Sequence, residues 1–188
     1  MLRQLLQYVE HFNSLSIPAI EAFSPICTSL NLEKGKDLQP IGHTCKTIYF
    51  LNSGIARIYY YKEEIDITES FSFENSILVR VESLFTGKPS KKAIQVLEDA
   101  EIVAIDAVRL FKLYDNFPEI ERLFRKIFEA SHVELINRIE SIQFHTAEER
   151  YKTLLQERPD IIQQVPLKYI ASYLGITQTS LSRIRAQY

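Results

Sequence analysis

Eight side chains near the C-terminus could do recognition chemistry: Lys168, Thr177, Gln178, Thr179, Ser180, Ser182, Arg183 and Arg185. Arginine can donate two hydrogen bonds to guanine O6 and N7, and glutamine can engage adenine in the same way. Serine and threonine reach phosphates or a thymine methyl. The stretch from Pro166 to Tyr188 holds three of these cations and no Asp or Glu, although the whole chain has 22 basic against 24 acidic residues and a net charge of −2. A basic end on an acidic body suits a protein that presents that end to phosphate. Three charges are few, so two copies would be needed for a useful phosphate term.

The pattern of residues 166–188 supplies the elements that would hold this set. Leu167, Ile170, Ala171 and Leu174 fall at i, i+3, i+4 and i+7, one face of a helix. Pro166 suits a first turn, where a missing N–H costs nothing. Gly175 supplies the left-handed residue that ends the helix. Ile176 tucks under the turn, and Thr177 can cap a second helix through its hydroxyl. In that helix Leu181, Ile184 and Tyr188 point inward, leaving the polar set outside. Two short helices around a tight turn, with small Ala171 at the crossing, make a helix-turn-helix. An ordinary amphipathic hairpin at a chain end would share much of this pattern.

Upstream, 188 residues that are 46% hydrophobic and 24% charged suit one large globular domain or two small ones. No apolar run is long enough for a bilayer, and the N-terminus lacks the pattern of a secretory signal, so a cytoplasmic protein without a membrane partner is expected. Cys27 and Cys45 read as reduced thiols. Residues 2–12 and 17–24 read as short helices, the second capped by Ser16 with Pro18 in its first turn. From Ile26 to Asp106 the period changes to two, with strands at Ile26–Leu32, Ile48–Leu51, Ile55–Tyr61, Ile65–Phe73, Ile94–Leu97 and Glu101–Ile105. Hairpins are expected over Lys62-Glu63-Glu64 and over Glu98-Asp99. Many short strands with close turns suggest a small antiparallel roll. Glu74 to Ala93 interrupts it with a helical turn near Glu82–Phe85 and a loop, where a ligand site could be built.

Helices resume near Ala107. Phe117-Pro118-Glu119 opens a long helix that runs to about Phe144. Its apolar residues cover more than one stripe, which predicts one face on the roll and another on a second copy of the same helix. Thr146 with Glu149 forms a capping box for the next helix.

This order resembles the Crp/Fnr family of bacterial transcription regulators across essentially the whole chain. Ile170 to Arg185, IASYLGITQTSLSRIR, is similar to the family's helix-turn-helix segment, and Leu51-Asn52-Ser53-Gly54-Ile55-Ala56-Arg57 to its L-x-x-G-x-x-[RK] strand–turn–strand. Phe117-Pro118-Glu119 heads the long helix as in the family. The resemblance implies an α+β fold: an N-terminal antiparallel, jelly-roll-like β-roll flanked by helices, a long dimerisation helix, and a winged-helix-like helix-turn-helix whose wing is short or absent. The boundaries expected are 1–117 for a cyclic-nucleotide-binding-like sensor, 118–145 for the long helix and 146–188 for the DNA-binding domain. It also implies double-stranded DNA, a second copy and RNA polymerase as partners, and a small-molecule effector. Base-reading positions fall on Gln178, Thr179 and Arg183, and phosphate positions on Thr177 and Ser180. Many members carry Arg and Glu where this chain has Gln178 and Thr179, so the operator is left open.

The sensor motifs depart further. Cyclic-nucleotide-binding members carry F-G-E and then R-[ST]-A, and the stretches set against them are Ser72-Phe73-Glu74 and Lys91-Lys92-Ala93. Glu74 keeps an acceptor for a ribose hydroxyl. Phe73 replaces the glycine that admits phosphate, and Lys91 replaces the planar arginine. A cyclic nucleotide is therefore disfavoured, and the candidate effector site is Phe73, Glu74, Asn75, Arg80, Lys91 and Lys92. No cofactor or metal is expected. Two cysteines cannot ligate a four-cysteine iron–sulfur cluster, the four histidines lack paired ligand spacing, and no H-x-H, G-x-S-x-G or P-loop is present. No catalytic constellation is found and no enzyme is expected. The rival reading is a ligand-binding or protein-interaction module with a non-functional helix-turn-helix.

Overall fold

The structure is a computed structural model that describes residues 2–186. It has nine α-helices and eight strands among the described residues. The order is α1 (Leu2–Glu10), α2 (Ile17–Phe23), β1 (Cys27–Leu32), β2 (Asp37–Gln39), β3 (Thr47–Ser53), β4 (Ala56–Lys62), β5 (Ile65–Ser72), β6 (Ser76–Leu78), α3 (Val81–Thr86), β7 (Ala93–Val96), β8 (Ala100–Asp106), α4 (Ala107–Leu113), α5 (Pro118–Phe144), α6 (Ala147–Glu157), α7 (Ile161–Gln164), α8 (Leu167–Tyr173) and α9 (Gln178–Arg185). Tyr188, assigned an inward side chain from sequence, lies outside the described residues.

The strands form two four-stranded sheets, ordered β1-β8-β3-β6 and β2-β7-β4-β5. In the first, β8 runs antiparallel between β1 and β3, with Phe50 opposite Val103 and Leu30 opposite Ile102. Alternation along β3 sends Tyr49 and Leu51 to one apolar cluster, with Ala56, Ile94, Val96 and Ile102. Ile48 and Phe50 go to a second cluster, with residues of α1, α2, α4 and α5.

One sequence expectation is overturned. The turn at Glu98-Asp99 does not close a hairpin: β7 lies in the second sheet and β8 in the first. The chain changes sheets there, with the Leu97 N–H on the Ile55 carbonyl at 2.7 Å. Gly54 makes the crossing possible, because a Cβ there would meet the Ala100 Cβ at 2.9 Å. Period two marks a strand and is silent on its sheet; β8 finds apolar partners on both sides among β1 and β3. The expected β4–β5 hairpin is present, its tip reduced to Glu63 and Glu64, both left-handed at φ 50° and 66°. That backbone matches a primed two-residue turn, although glutamate is an unusual occupant.

The chain divides into two compact units, Met1–Ile58 with Phe71–Ala130, and Tyr59–Ser70 with Ser131–Tyr188. Strands β4 and β5 and helix α5 are shared between them. In α5 the burial changes character along the chain. Ile120, Leu123, Phe124 and Ile127 are buried, whereas Val133, Leu135, Ile136, Ile139, Ile142 and Phe144 are exposed. Leu135, Ile139 and Ile142 recur at i, i+4 and i+7, a stripe of the width of a coiled-coil seam.

Candidate nucleic-acid interface

The helix-turn-helix is assembled by its end caps. Helix α8 closes in a Schellman arrangement: Gly175 sits at φ 72°, the Ile176 N–H reaches the Ala171 carbonyl at 3.0 Å, and the Gly175 N–H reaches the Ser172 carbonyl at 3.0 Å. Thr177 then caps α9, its hydroxyl accepting from the Ser180 N–H at 3.1 Å. Pro166 occupies the capping position of α8, one residue ahead of the first turn. Ile170, Ala171, Leu174 and Leu181 are buried, and Ile184 is half-buried.

Two arginines take the carbonyls that the end of α8 leaves over. The Arg138 guanidinium, from α5, donates to the Tyr173 carbonyl and lies 3.8 Å from the centroid of the Tyr173 ring. Arg150, from α6, donates to the Leu174 carbonyl at 2.7 Å and also to the His145 carbonyl at the end of α5. Positive charge at a helix C-terminus opposes the negative end of its dipole. Burial pushes the Arg138 guanidinium down from its ordinary value, and the charge of Arg150 acts in the same direction. Neither arginine stood out in the sequence, because each lies in a helix whose pattern assigns it to a solvated face.

On α9, Thr177, Gln178, Thr179, Ser182 and Arg183 are exposed, while Ser180 and Arg185 are half-buried; Lys168, on α8, is exposed. Ser180 is engaged with the Thr177 hydroxyl at 2.9 Å, and the Ser182 hydroxyl donates to the Gln178 carbonyl at 3.0 Å. Lys168 lies 4.8 Å from the Tyr169 ring centroid. Gln178, Thr179, Ser182 and Arg183 thus occupy little more than one turn and a half of helix, with solvent-facing side chains.

The six residues of the candidate effector site flank β6 and close the insertion that follows it. Phe73, Glu74 and Asn75 precede β6, and Arg80 follows it at the N-cap of α3. Asn75 is left-handed at φ 61°, and its side chain accepts from Gln4 Nε2 at 3.0 Å. It lines an open depression of about 450 Å³ with Gln4, Gln7, Tyr8 and His11. Arg80 is buried at the head of α3, its guanidinium pushed down by burial while Cys45 and Glu82 oppose the shift. Lys91 is exposed. Lys92 is half-buried, and burial pushes its ammonium down. Two serines that sequence inspection passed over hold the insertion. Ser83 accepts from the Cys45 N–H at 2.8 Å and donates to the Lys88 carbonyl at 2.6 Å, and Ser90 donates to the Lys92 carbonyl at 2.7 Å.

A β-roll carrying a long helix and then a helix-turn-helix is the architecture of the Crp/Fnr regulators, and the chain has that fold. No family model matches the sequence and no curated protein matches it. Solved structures do. FixK2 from Bradyrhizobium japonicum is similar at 17% identity and a TM-score of 0.74, over 86% of this chain and 84% of that one. A protein described as a transcriptional regulator of the Crp/Fnr family from Eubacterium rectale gives 17% identity and a TM-score of 0.72, over 90% and 82%. CLP of Xanthomonas campestris, described as a c-di-GMP responsive global regulator, gives 14% identity and a TM-score of 0.70, over 92% and 91%. At such identities the likeness establishes the fold. No helix among the described residues is long and apolar enough to cross a membrane.

Proposed function

We propose that this chain is a sequence-specific, double-stranded-DNA-binding transcription regulator that works as a homodimer, with the β-roll as sensor for a small-molecule effector. One observation carries the reading: a capped, exposed α9 offers Gln178, Thr179, Ser182 and Arg183 from a segment free of carboxylates. The fold shared with transcriptional regulators supports it. Arg183 is the guanine reader in this account, Gln178 and Thr179 are its base-reading neighbours, and Thr177, Ser180, Arg185 and Lys168 serve the backbone. The exposed stripe Leu135, Ile139 and Ile142 supports pairing through α5. A cyclic nucleotide remains disfavoured, since Phe73 stands where such members carry glycine and Lys91 where they carry arginine. No catalytic role is proposed, and RNA polymerase is the expected partner of a bound activator.

Selection from a random duplex pool tests this directly. The expected winner is a near-palindrome with half-sites about one helical turn, or ~34 Å, apart, and its affinity falls as salt rises. Recovery of no enriched sequence, with only weak salt-insensitive retention, would leave the helix-turn-helix as a docking surface and overturn the proposal.

A further inference from the structure

Helix α5 from Ser131 onward, α6, α8 and α9 lie in one compact unit. Within it two guanidinium groups meet the carbonyl end of α8. Arg150 ties that end to the end of α5, since its one guanidinium donates to both the Leu174 and the His145 carbonyls. It lies against the turn itself, its Nη2 3.9 Å from where a Cβ on Gly175 would stand. Arg138 donates to the Tyr173 carbonyl and lies over the Tyr173 ring. It sits about one helical turn after Leu135 and one before Ile142, so the turns of α5 that bear the exposed apolar stripe also hold α8. The Nε of each arginine is buried with no hydrogen-bond partner among the described residues. An unmet buried donor costs stability, so a cation needed only for the helix dipole would be better supplied by lysine, whose ammonium stays in water.

We propose that Arg138 and Arg150 determine which spacing of DNA half-sites the protein accepts, by fixing the orientation of α9 to the stripe-bearing stretch of α5. They are positioning residues and touch no base. This rests on the homodimeric DNA-binding reading above. A guanidinium is a rigid planar fork, and bonds from it to carbonyls at the ends of two helices leave little freedom for tilt. Helix α9 follows α8 through the Schellman turn, so its direction is inherited from α8. In a dimer two such helices stand at a set separation and angle about one axis. One base pair added between half-sites moves the second by about 3.4 Å and turns it by roughly 34°. A stiff pair cannot follow both changes and keeps full contact with one half-site only.

The test uses the full chain and the duplex obtained by selection, with one base pair inserted or removed between its half-sites. The readout is a ratio of Kd values, altered spacing over selected spacing. The wild type is expected to give a ratio of about ten or more. Arg150→Ala and Arg138→Ala bring it down to about three or less. Binding to a single half-site stays at the wild-type value, since neither residue meets DNA. Arg150→Lys, which keeps the charge without the fork, behaves as the alanine variant does. A fall in stability weakens binding to every duplex alike and leaves the ratio untouched, so a merely structural role is told apart. The proposal is overturned if the alanine variants keep the wild-type ratio, if Arg150→Lys keeps it, or if the wild type selects a sequence yet accepts every spacing equally. Recovery of no sequence by the wild type overturns the DNA-binding reading, and this proposal with it, and is told apart by the selection itself. Where an alanine variant fails to melt cooperatively, Arg150→Lys and Arg138→Lys carry the measurement with the same two outcomes.

Discussion

Arg183 and Thr177 do different work within one short helix, and their substitutions separate recognition from folding. Arg183 is exposed and its side chain has no hydrogen-bond or ion-pair partner among the described residues, so Arg183→Ala is expected to leave the melting temperature unchanged. It lowers discrimination at one base pair by about 1–3 kcal/mol, read from competition among single-base variants of the selected site. A loss shared equally by all sequences would make Arg183 a phosphate contact instead. Thr177→Ala removes the acceptor of the Ser180 N–H and costs roughly 1 kcal/mol of stability, read by thermal unfolding, with weaker binding to every duplex. Cys27 gives a third residue-scale test. Burial pushes its thiol up to about 12, and its Sγ donates to the Phe23 carbonyl at 3.5 Å. At pH 8 the native protein is therefore expected to resist alkylation at Cys27, while denatured protein reacts, as peptide mapping will show. At this scale the sequence was informative about α9, because capping residue, apolar face and polar face follow from spacing alone. It was uninformative about Ser172, Arg138 and Arg150, because their partners are backbone groups brought close only by the tertiary fold.

Helix α5 is the element whose two halves make different demands. The half up to Ile127 is covered by the chain's own core, and the half from Val133 carries apolar side chains in solvent. Leu135→Glu with Ile139→Glu is expected to turn the proposed dimer into a monomer in sedimentation velocity and to weaken duplex binding sharply, with the helical content kept. A wild type that sediments as a monomer at every concentration would remove the reason for the stripe. The capping box of α6 is a second element-scale device. Glu149 accepts from the Thr146 N–H at 2.7 Å and from its hydroxyl at 2.9 Å, which holds its carboxyl below the usual carboxylate range. A depressed carboxylate contributes stability above its unfolded value and loses it as pH falls, so α6 is expected to loosen on acidification. Thr146→Ala should move the Glu149 titration upward in an NMR titration. Both features were readable from sequence, since i, i+4 and i, i+7 spacing and an S/T-x-x-E signature are local. The exchange of sheets between β7 and β8 was not, because alternation records a strand's faces and leaves its neighbours open.

For the whole molecule, stability at alkaline pH feels three groups whose ionisation burial opposes, the Tyr49 phenol among them. Burial raises both the Cys27 thiol and the Tyr114 phenol, the latter helped by Glu121. A group that loses its proton more readily when unfolded favours the unfolded chain once the pH passes its unfolded value, so stability is full below about pH 9 and declines from there toward 12. Denaturant midpoints measured from pH 7 to 11 check the sign, and Cys27→Ser is expected to flatten the early part of the decline. The order of roll, long helix and helix-turn-helix could be recognised from the chain because each piece has its own periodicity. The partition of the β4–β5 hairpin with the C-terminal helices could not, since it depends on tertiary contacts, among them the Thr68 N–H on the Ser172 hydroxyl at 2.7 Å and that hydroxyl on the Asp66 carbonyl at 3.4 Å. That same meeting carries a consequence for shortened chains. A polypeptide ending before Leu167 would bare the outer side of β5, with the Asp66 carbonyl and the Thr68 amide turned to solvent and ready to accept the next molecule's strand. Such a truncation will self-associate and scatter light at concentrations where the intact protein stays clear.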